Sequence, residues 1–192
     1  MTFASIVLAA GAATRFGGDK LSASFQGEPL LHHAIRAARA APVERVIVVC
    51  APGLDIGPWP GHPPVEALRL DSEALSRSLK AGIATAGNVA GAFVFLGDMP
   101  LVPHAVAVQL AAMLGENFAV LPRCNGRPGH PVLLSSRAFA DIARLEGDEG
   151  AGRLLRQRDD VAFLDSTDEG IVLDVDRAED MARLEQRIDK PG

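Results

Sequence analysis

The glycine loop at residues 8–20, LAAGAATRFGGDK, is the first segment of this chain whose residue types could do chemistry. Its three glycines let backbone N–H groups converge on an anion without a Cβ in the way. Arg15 suits two-pronged contact with phosphate oxygens, and Lys20 is a mobile point charge. The spacing matches neither a Walker A loop nor a dinucleotide fingerprint. The segment predicts a phosphate site; the alternative is a plain strand-to-helix turn with solvated charges.

A carboxylate follows a second apolar run, AFVFLG at residues 92–97. Asp98 is therefore expected at the carboxyl edge of a strand, beside the phosphate loop. Mg²⁺ takes hard oxygen ligands and needs only one or two carboxylates when a triphosphate supplies the rest. Asp98 is a candidate magnesium ligand, and the alternative is that it shapes a turn or caps the next helix.

A second carboxylate could come from LDVD at residues 173–176. Strand-like alternation would place Asp174 and Asp176 on one face. We favour Asp174 as the ligand, because Asp176 could instead cap the last helix together with Glu179.

The segment NGRPGHP at residues 125–131 has the composition of a shaped loop. Arg127 could hold a phosphate group, and His130 could donate a hydrogen bond to a ligand or orient it. The alternative for His130 is a partly buried structural residue.

Apolar runs and alanine-rich segments alternate along the chain. The strands and helices that they predict must position the candidate residues described above. The runs predict buried strands at Phe3–Leu8, Val43–Val49, Val65–Leu70, Ala92–Leu96 and Phe118–Leu121. The segments between them predict helices at Leu30–Ala40, Leu75–Ala86 and His104–Leu114. This alternation is typical of a parallel sheet covered on both faces.

The later third is less regular. It predicts a short strand at 131–134, helices at 136–144, 150–158 and 177–187, and a proline-rich surface loop at 51–64. No boundary between hydrophobic blocks is visible, so residues 1–192 are expected to form a single domain.

Composition narrows the classes of partner. The net charge of −5 argues against nucleic acid or a membrane surface as the main partner. Cys50 and Cys124 are expected to be buried, reduced thiols. The apolar start of the chain lacks a basic segment before it and is too short to span a bilayer, so we expect a cytoplasmic protein.

On these segments the chain resembles the MobA-like NTP transferase family, and within it the molybdenum cofactor cytidylyltransferases. Beyond the glycine loop, the resemblance rests on collinear segments at residues 73–83, 95–102, 126–134, 147–155 and 173–184. It implies a three-layer α/β/α Rossmann-like fold of the nucleotide-diphospho-sugar transferase type, with a mostly parallel central sheet. It also implies Mg²⁺-dependent transfer of CMP from CTP to molybdopterin, with a molybdenum hydroxylase as a possible recipient of the product.

The resemblance also assigns roles to residues. Catalysis would fall to Lys20, Arg15 and Asp98, and metal binding to Asp98 and Asp174. The nucleotide would contact Leu8, Ala9, Ala10, Gly11, Arg15, Gly17, Lys20, Ser76, Ser78 and Asp98. The acceptor would contact Arg127, Gly129 and His130.

The chain departs from the family pattern at Arg77, where serine is frequent, and at Gly152, where arginine is frequent and Arg153 could substitute. Ala10 favours CTP over GTP, because the guanylyltransferase branch tends to carry glycine there and a methyl group narrows the base pocket. Two alternatives stay open. One is transfer to a sugar phosphate or polyol phosphate, and the other is a non-catalytic nucleotide-binding protein that helps a molybdenum hydroxylase to mature.

Overall fold

The protein is described from a computed structural model that covers residues 1–11, 16, 18–72, 74–147 and 150–188. Its strands are β1 (Phe3–Ala9), β2 (Ser24–Phe25), β3 (Glu28–Pro29), β4 (Arg45–Cys50), β5 (Val65–Arg69), β6 (Gly91–Leu96), β7 (Ala119–Cys124), β8 (Arg127–Pro128), β9 (Val132–Ser135) and β10 (Val161–Asp165). Its α-helices are α1 (Leu30–Ala40), α2 (Leu75–Ala86), α3 (Val106–Met113), α4 (Phe139–Ile142), α5 (Gly152–Arg156) and α6 (Ala178–Ile188). Short 3₁₀ helices lie at Ser136–Ala138 and Glu169–Val172.

The main sheet has the strand order β10-β7-β9-β6-β1-β4-β5, and the short β8 pairs with β7. Strand β9 is antiparallel to both β6 and β7, whereas the pairs of β1 with β4, β1 with β6, β4 with β5 and β7 with β10 are parallel. The predicted mostly parallel sheet is therefore confirmed. The chain proceeds from β1 to β4 on one side and returns to β6 on the other, which opens a crevice at the carboxyl ends of β1 and β6.

Helices cover both faces of this sheet, as the three-layer expectation requires. Alternate residues of β1 belong to opposite cores: Val7 lies in the core with α1 and α3, and Ile6 lies in the core with α2. Helix α2 approaches β1 closely at Gly82, where a Cβ would lie 2.6 Å from Cγ2 of Ile6. Glycine at this position therefore lets α2 sit directly on β1 and bring its N-terminus to the crevice.

The bounds predicted for α1 and α2 are confirmed, and several other expectations were wrong. Strand β5 is only partly buried, because it is the edge strand and has β4 as its neighbour on one side only. The predicted helix at 136–144 is a 3₁₀ turn followed by the four-residue α4, and α5 is shorter than predicted. The β2–β3 hairpin and β8 were not predicted, because each of these strands has only two residues.

A small separate core lies beneath the C-terminal part of the chain. We call it the satellite core, and it consists of Phe25, Leu30, Val175, Met181 and Leu184. It joins the β2–β3 hairpin, the start of α1, the segment 173–176 and α6. The satellite core thus fixes the segment that carries the two late aspartates.

The start of α6 is capped differently from the expectation. The carboxylate of Asp180 accepts the backbone N–H groups of Asp176 at 3.1 Å and of Arg177 at 2.8 Å. Asp180 thus makes the contact with backbone N–H groups that was considered for Glu179.

Both cysteines are buried free thiols, as expected, and burial raises the pKa of Cys50 while Arg69 opposes the shift. Within the described ranges, no helix combines the length and the apolar character needed to cross a membrane.

Candidate active site

A cavity of about 300 Å³ opens at the carboxyl ends of β1 and β6. It is lined by Leu8, Ala9, Ala10, Gly11, Lys20, Leu21, Ser72, Ala74, Leu75, Ser78, Leu96, Asp98 and Asp176. This set unites most of the residues predicted to contact a nucleotide. We call it the loop cavity.

Asp98 enters the loop cavity because Gly97 lets the end of β6 approach the end of β1. The N–H of Gly97 donates to the carbonyl of Leu8 over 2.9 Å, and a Cβ on Gly97 would lie 3.1 Å from the side chain of Leu31. A larger residue would crowd both neighbours, so glycine sets the depth at which the Asp98 carboxylate stands.

Lys20 is the central cation of the site. Its ammonium donates to Oδ2 of Asp98 over 2.7 Å and to the carbonyl of Val175 over 2.7 Å. It lies 3.9 Å from Oδ1 of Asp176, and its side chain is 12% exposed. The two residues expected to be catalytic and described by the structure, Lys20 and Asp98, are therefore in direct contact.

Three carboxylates converge at this point. Asp98, Asp174 and Asp176 each offer an oxygen atom, and these atoms lie within 4.8 Å of one another. Val175 is buried between the two late aspartates, which places both carboxylates on the outer face as strand-like alternation predicted. The structure thus brings Asp176 to the cluster as well as Asp174.

Burial raises the pKa of Asp174, and the nearby charges of Asp176 and Asp98 add to the shift. A backbone N–H group and Lys20 oppose it. Crowded carboxylates of this kind gain from a bound cation, and an all-oxygen donor set fits Mg²⁺, Mn²⁺ or Ca²⁺ better than softer metals. The residues present therefore fit a divalent cation.

The two serines expected to contact a nucleotide point in different directions. Ser78 lines the loop cavity, whereas the buried hydroxyl of Ser76 donates to the carbonyl of Gly147. Two positions along a helix correspond to a rotation of roughly 200°, so both cannot face one cavity. Ser76 instead ties the first turn of α2 to the loop at residue 147.

Two predicted residues of the glycine loop, Arg15 and Gly17, lie outside the described residues. Arg127 is described and is exposed on the β7–β8 hairpin, whose turn residues Asn125 and Gly126 have positive φ angles of 51° and 78°. It is absent from the described lining of both the loop cavity and the neighbouring cavity. Its assignment to an acceptor phosphate stays a prediction without support from its position.

A second cavity of about 190 Å³ adjoins the first, and we call it the apolar cavity. It shares Leu8, Leu75 and Leu96 with the loop cavity. Its other lining residues are Leu79, Val94, Leu121, Pro128, Gly129, His130, Val132, Leu134, Gly150, Ala151, Gly152 and Leu155. Two of the three residues predicted for acceptor binding, Gly129 and His130, therefore line a cavity beside the loop cavity.

Close backbone packing positions His130. A Cβ on Gly129 would lie 2.3 Å from the carbonyl oxygen of Ile171, and the N–H of His130 donates to that same oxygen over 2.8 Å. Glycine is required there because any side chain would collide with main-chain atoms.

His130 is held in a neutral form. Its Nδ1 lies 3.2 Å from the carbonyl of Val94, and a carbonyl only accepts, so Nδ1 carries the proton. Burial lowers the pKa of His130, while the Val94 carbonyl and the charges of Asp98 and Asp174 oppose the shift. Nε2 is then a hydrogen-bond acceptor, so the donation to an acceptor molecule considered from sequence is not available from a neutral ring.

Sequence reasoning did not identify Leu75 as a site residue. Leu75 is the first residue of α2, is 40% exposed and lines both cavities. The signal in the sequence that could have identified Leu75 was an apolar residue at the predicted start of a helix. Leu75 forms part of the wall between the two spaces.

The fold and the carboxylate cluster together define an α/β protein with a candidate cation site at the switch point of its sheet. Comparison with known proteins gives the family. The profile of the MobA-like NTP transferase domain matches residues 5–161, and the chain belongs to this family of nucleotidyltransferases.

Similar proteins include the purine catabolism protein PucB of Bacillus subtilis (strain 168), which is 30% identical over 194 residues that cover 93% of this chain and 94% of PucB. A probable molybdenum cofactor guanylyltransferase of Pyrococcus furiosus is 33% identical over 142 residues, covering 71% of this chain and 69% of its own length. Among solved structures, Rv0371c from Mycobacterium tuberculosis H37Rv has a TM-score of 0.81 at 25% identity and covers 97% of this chain and 99% of its own.

Proposed function

We propose that this chain transfers CMP from CTP to molybdopterin in a Mg²⁺-dependent reaction that releases pyrophosphate. The observation that carries the proposal is the contact of Lys20 with Asp98 inside a three-carboxylate cluster at the edge of the loop cavity. A protein that only binds nucleotides needs positive charge, but it does not need a lysine paired with a cluster of metal-binding carboxylates.

The nucleotide would occupy the loop cavity, with its phosphates near the glycine loop and Lys20. Asp98 and Asp174 would hold Mg²⁺, with Asp176 beside them, and the ion when bound would offset negative charge on the phosphates. Lys20 would meet the charge that develops on the leaving pyrophosphate. Arg15, from the same loop, is proposed for the terminal phosphates.

The transfer itself needs no covalent enzyme intermediate. A phosphate oxygen of the acceptor attacks the α-phosphorus, the new P–O bond forms, and the bond from the α-phosphorus to the oxygen of pyrophosphate breaks. The attacking oxygen is already anionic near neutral pH, so the chain has to align and stabilise charge rather than remove a proton. This agrees with a site built from Lys20 and carboxylates.

The apolar cavity supports a flat heterocyclic acceptor in place of a sugar. Its walls are mostly aliphatic side chains and glycines, which would leave the hydroxyl groups of a sugar unpaired. The neutral ring of His130 would accept a hydrogen bond from an N–H group of the ligand. The guanylyltransferase name of the Pyrococcus furiosus relative supports a molybdenum cofactor acceptor and leaves the base to be tested.

We further propose that the product passes to a molybdenum hydroxylase in the cytoplasm. Ala10 lines the loop cavity, and its methyl group supports the choice of CTP over GTP.

The test is pyrophosphate release with four nucleoside triphosphates, each paired with molybdopterin and with a panel of sugar and polyol phosphates, in the presence of Mg²⁺. We expect CTP with molybdopterin to exceed GTP by about tenfold or more, the range of modest steric selection. Turnover with a sugar or polyol phosphate instead would establish the alternative acceptor. Nucleotide binding without pyrophosphate release from any pair would favour the non-catalytic accessory protein.

A further inference from the structure

Lys20 stands in the position of a counterion within the carboxylate cluster. Its ammonium lies 2.7 Å from Asp98 and 3.9 Å from Asp176, and the three carboxylates have oxygen atoms within 4.8 Å of one another. Its side chain is 12% exposed, so protein oxygens rather than bulk water hold the charge. The ammonium group of Lys20 therefore supplies a positive charge inside the cluster.

Three carboxylates surround one ammonium group, and oxygen atoms this close together are also a donor set for a divalent cation. Such an ion would bind a carboxylate oxygen at about 2.0–2.6 Å. With the ammonium also in contact with Asp98, two positive groups would lie within a few ångströms and repel each other. The cluster is thus a poor host for the ion while Lys20 stays in place.

We propose that Lys20 is a displaceable internal counterion, which holds Asp98 in the metal-free protein and is released toward the nucleotide phosphates when a divalent cation binds. The inference rests on the proposed function for the identity of the metal site. A lysine suits this role because its charge sits on a flexible four-carbon stem.

The segment that carries Asp174 and Asp176 can keep its place when Lys20 leaves. The N–H of Val175 donates to the backbone carbonyl of Asp98 over 3.0 Å, and this bond does not involve Lys20. The side chain of Val175 is fully buried in the satellite core. Departure of Lys20 therefore breaks its contacts with the carboxylates of Asp98 and Asp176 and with the carbonyl of Val175, but it leaves the backbone bond and the burial of Val175 in place.

The first test measures Mn²⁺ binding to the nucleotide-free protein, by the loss of the electron paramagnetic resonance signal of free Mn²⁺. Lys20→Met should bind Mn²⁺ more tightly than the wild type by about tenfold, within the usual range of coupling between two ligands. Lys80→Met is the matched control, because Lys80 donates to the carbonyl of Leu145 and belongs to another part of the surface. Its affinity should equal that of the wild type.

Lys20→Gln provides a second variant in case the methionine disturbs folding, since glutamine keeps hydrogen-bond donors but lacks the charge. It should shift Mn²⁺ affinity in the same direction. Equal or weaker binding in both folded Lys20 variants, or no binding in any variant, would overturn the proposal.

The second test uses the wild type and asks whether Lys20 moves. Reductive methylation followed by mass spectrometry should label Lys20 poorly without metal and several-fold more at saturating Mg²⁺, with Lys80 unchanged. A Lys20 that stays protected would refute displacement, even if removal of its charge tightens Mn²⁺ binding. Neither assay contains nucleotide or acceptor, so its outcome is separate from that of the pyrophosphate-release screen.

Discussion

The backbone N–H of Val175 donates to the carbonyl oxygen of Asp98 over 3.0 Å, although the two residues are far apart in the chain. Lys20 contacts the same two residues, because its ammonium donates to the Asp98 carboxylate and to the Val175 carbonyl. The end of β6 and the segment before α6 are thereby fixed against each other. This arrangement sets the spacing between the carboxylate of Asp98 and those of the two late aspartates.

Asp98→Asn should keep the fold and abolish Mg²⁺-dependent turnover, because the amide retains the shape of the side chain and loses the charge that holds the ion. Pyrophosphate release and circular dichroism check the two halves of the claim. Asp159→Asn is the control, since Asp159 is exposed and belongs neither to the carboxylate cluster nor to the described lining of either cavity. Normal turnover of Asp98→Asn would show that Asp98 is not a metal ligand.

Lys20→Ala should lower kcat far more than it weakens nucleotide binding, because the lysine mainly meets charge that develops during transfer. Steady-state kinetics and direct nucleotide titration measure the two quantities. Equal losses in both would mean that Lys20 contributes ground-state binding only.

Asp180→Ala should lower the free energy of unfolding at pH 7 by about 1 kcal/mol, the usual value of a lost helix cap. The pKa of Asp180 is lowered, first by the N–H of Arg177 and then by that of Asp176, so its contribution is present above the ordinary aspartate pKa. That contribution disappears as pH falls through the lowered value, so the gap between variant and wild type should narrow below about pH 4. Denaturant unfolding across pH measures it.

Glu179→Ala is the matched control for Asp180, because Glu179 is the neighbouring acid in the first turn of α6. It should cost clearly less than Asp180→Ala. A larger loss in the free energy of unfolding for Glu179→Ala would show that Glu179 caps the helix, as first considered from the sequence.

Gly129→Ala should destabilise the protein by about 1–3 kcal/mol or more, the range of overpacked cores, because its Cβ would lie 2.3 Å from the carbonyl oxygen of Ile171. Gly53→Ala offers the comparison, since a Cβ there meets nothing within 4 Å. Thermal unfolding of the two variants tests the difference, and equal stability would refute the close approach of Gly129 to Ile171.

Ala10→Gly should loosen a preference for CTP over GTP without inverting it. A single methyl group in a pocket wall is worth roughly 1–3 kcal/mol of selectivity, and other contacts must supply the remainder. Competition between equal concentrations of CTP and GTP gives the ratio for the wild type and the variant. A clear preference of the wild type for GTP would end the cytidylyl proposal.

Local patterns predicted the parallel part of the fold well, because α1 and α2 carry strong helical periodicity and β1 is buried on both faces. The same patterns placed Asp98 just after the end of β6 and Lys20 in the loop after β1, and both residues line the loop cavity. Their direct contact with each other could not be predicted, since it depends on how loops from distant parts of the chain meet.

The acceptor side was less predictable. Arg127 and His130 are three positions apart, but the hairpin turn leaves Arg127 exposed and the approach to Ile171 draws His130 inward. The sequence also suggested that His130 donates a hydrogen bond to the ligand. In the structure the Nδ1–H group of His130 donates to the carbonyl of Val94 instead. Both differences arise from backbone packing that no residue pattern encodes.

The satellite core supports two of the three clustered aspartates separately from the cores of the main sheet. The family profile ends at residue 161, whereas Asp174 and Asp176 lie on the segment that the satellite core and α6 support. That core has few buried side chains, so it should open at lower denaturant than the two cores of the main sheet. Metal affinity would then fade while the sheet is still intact, and inactivation would precede unfolding.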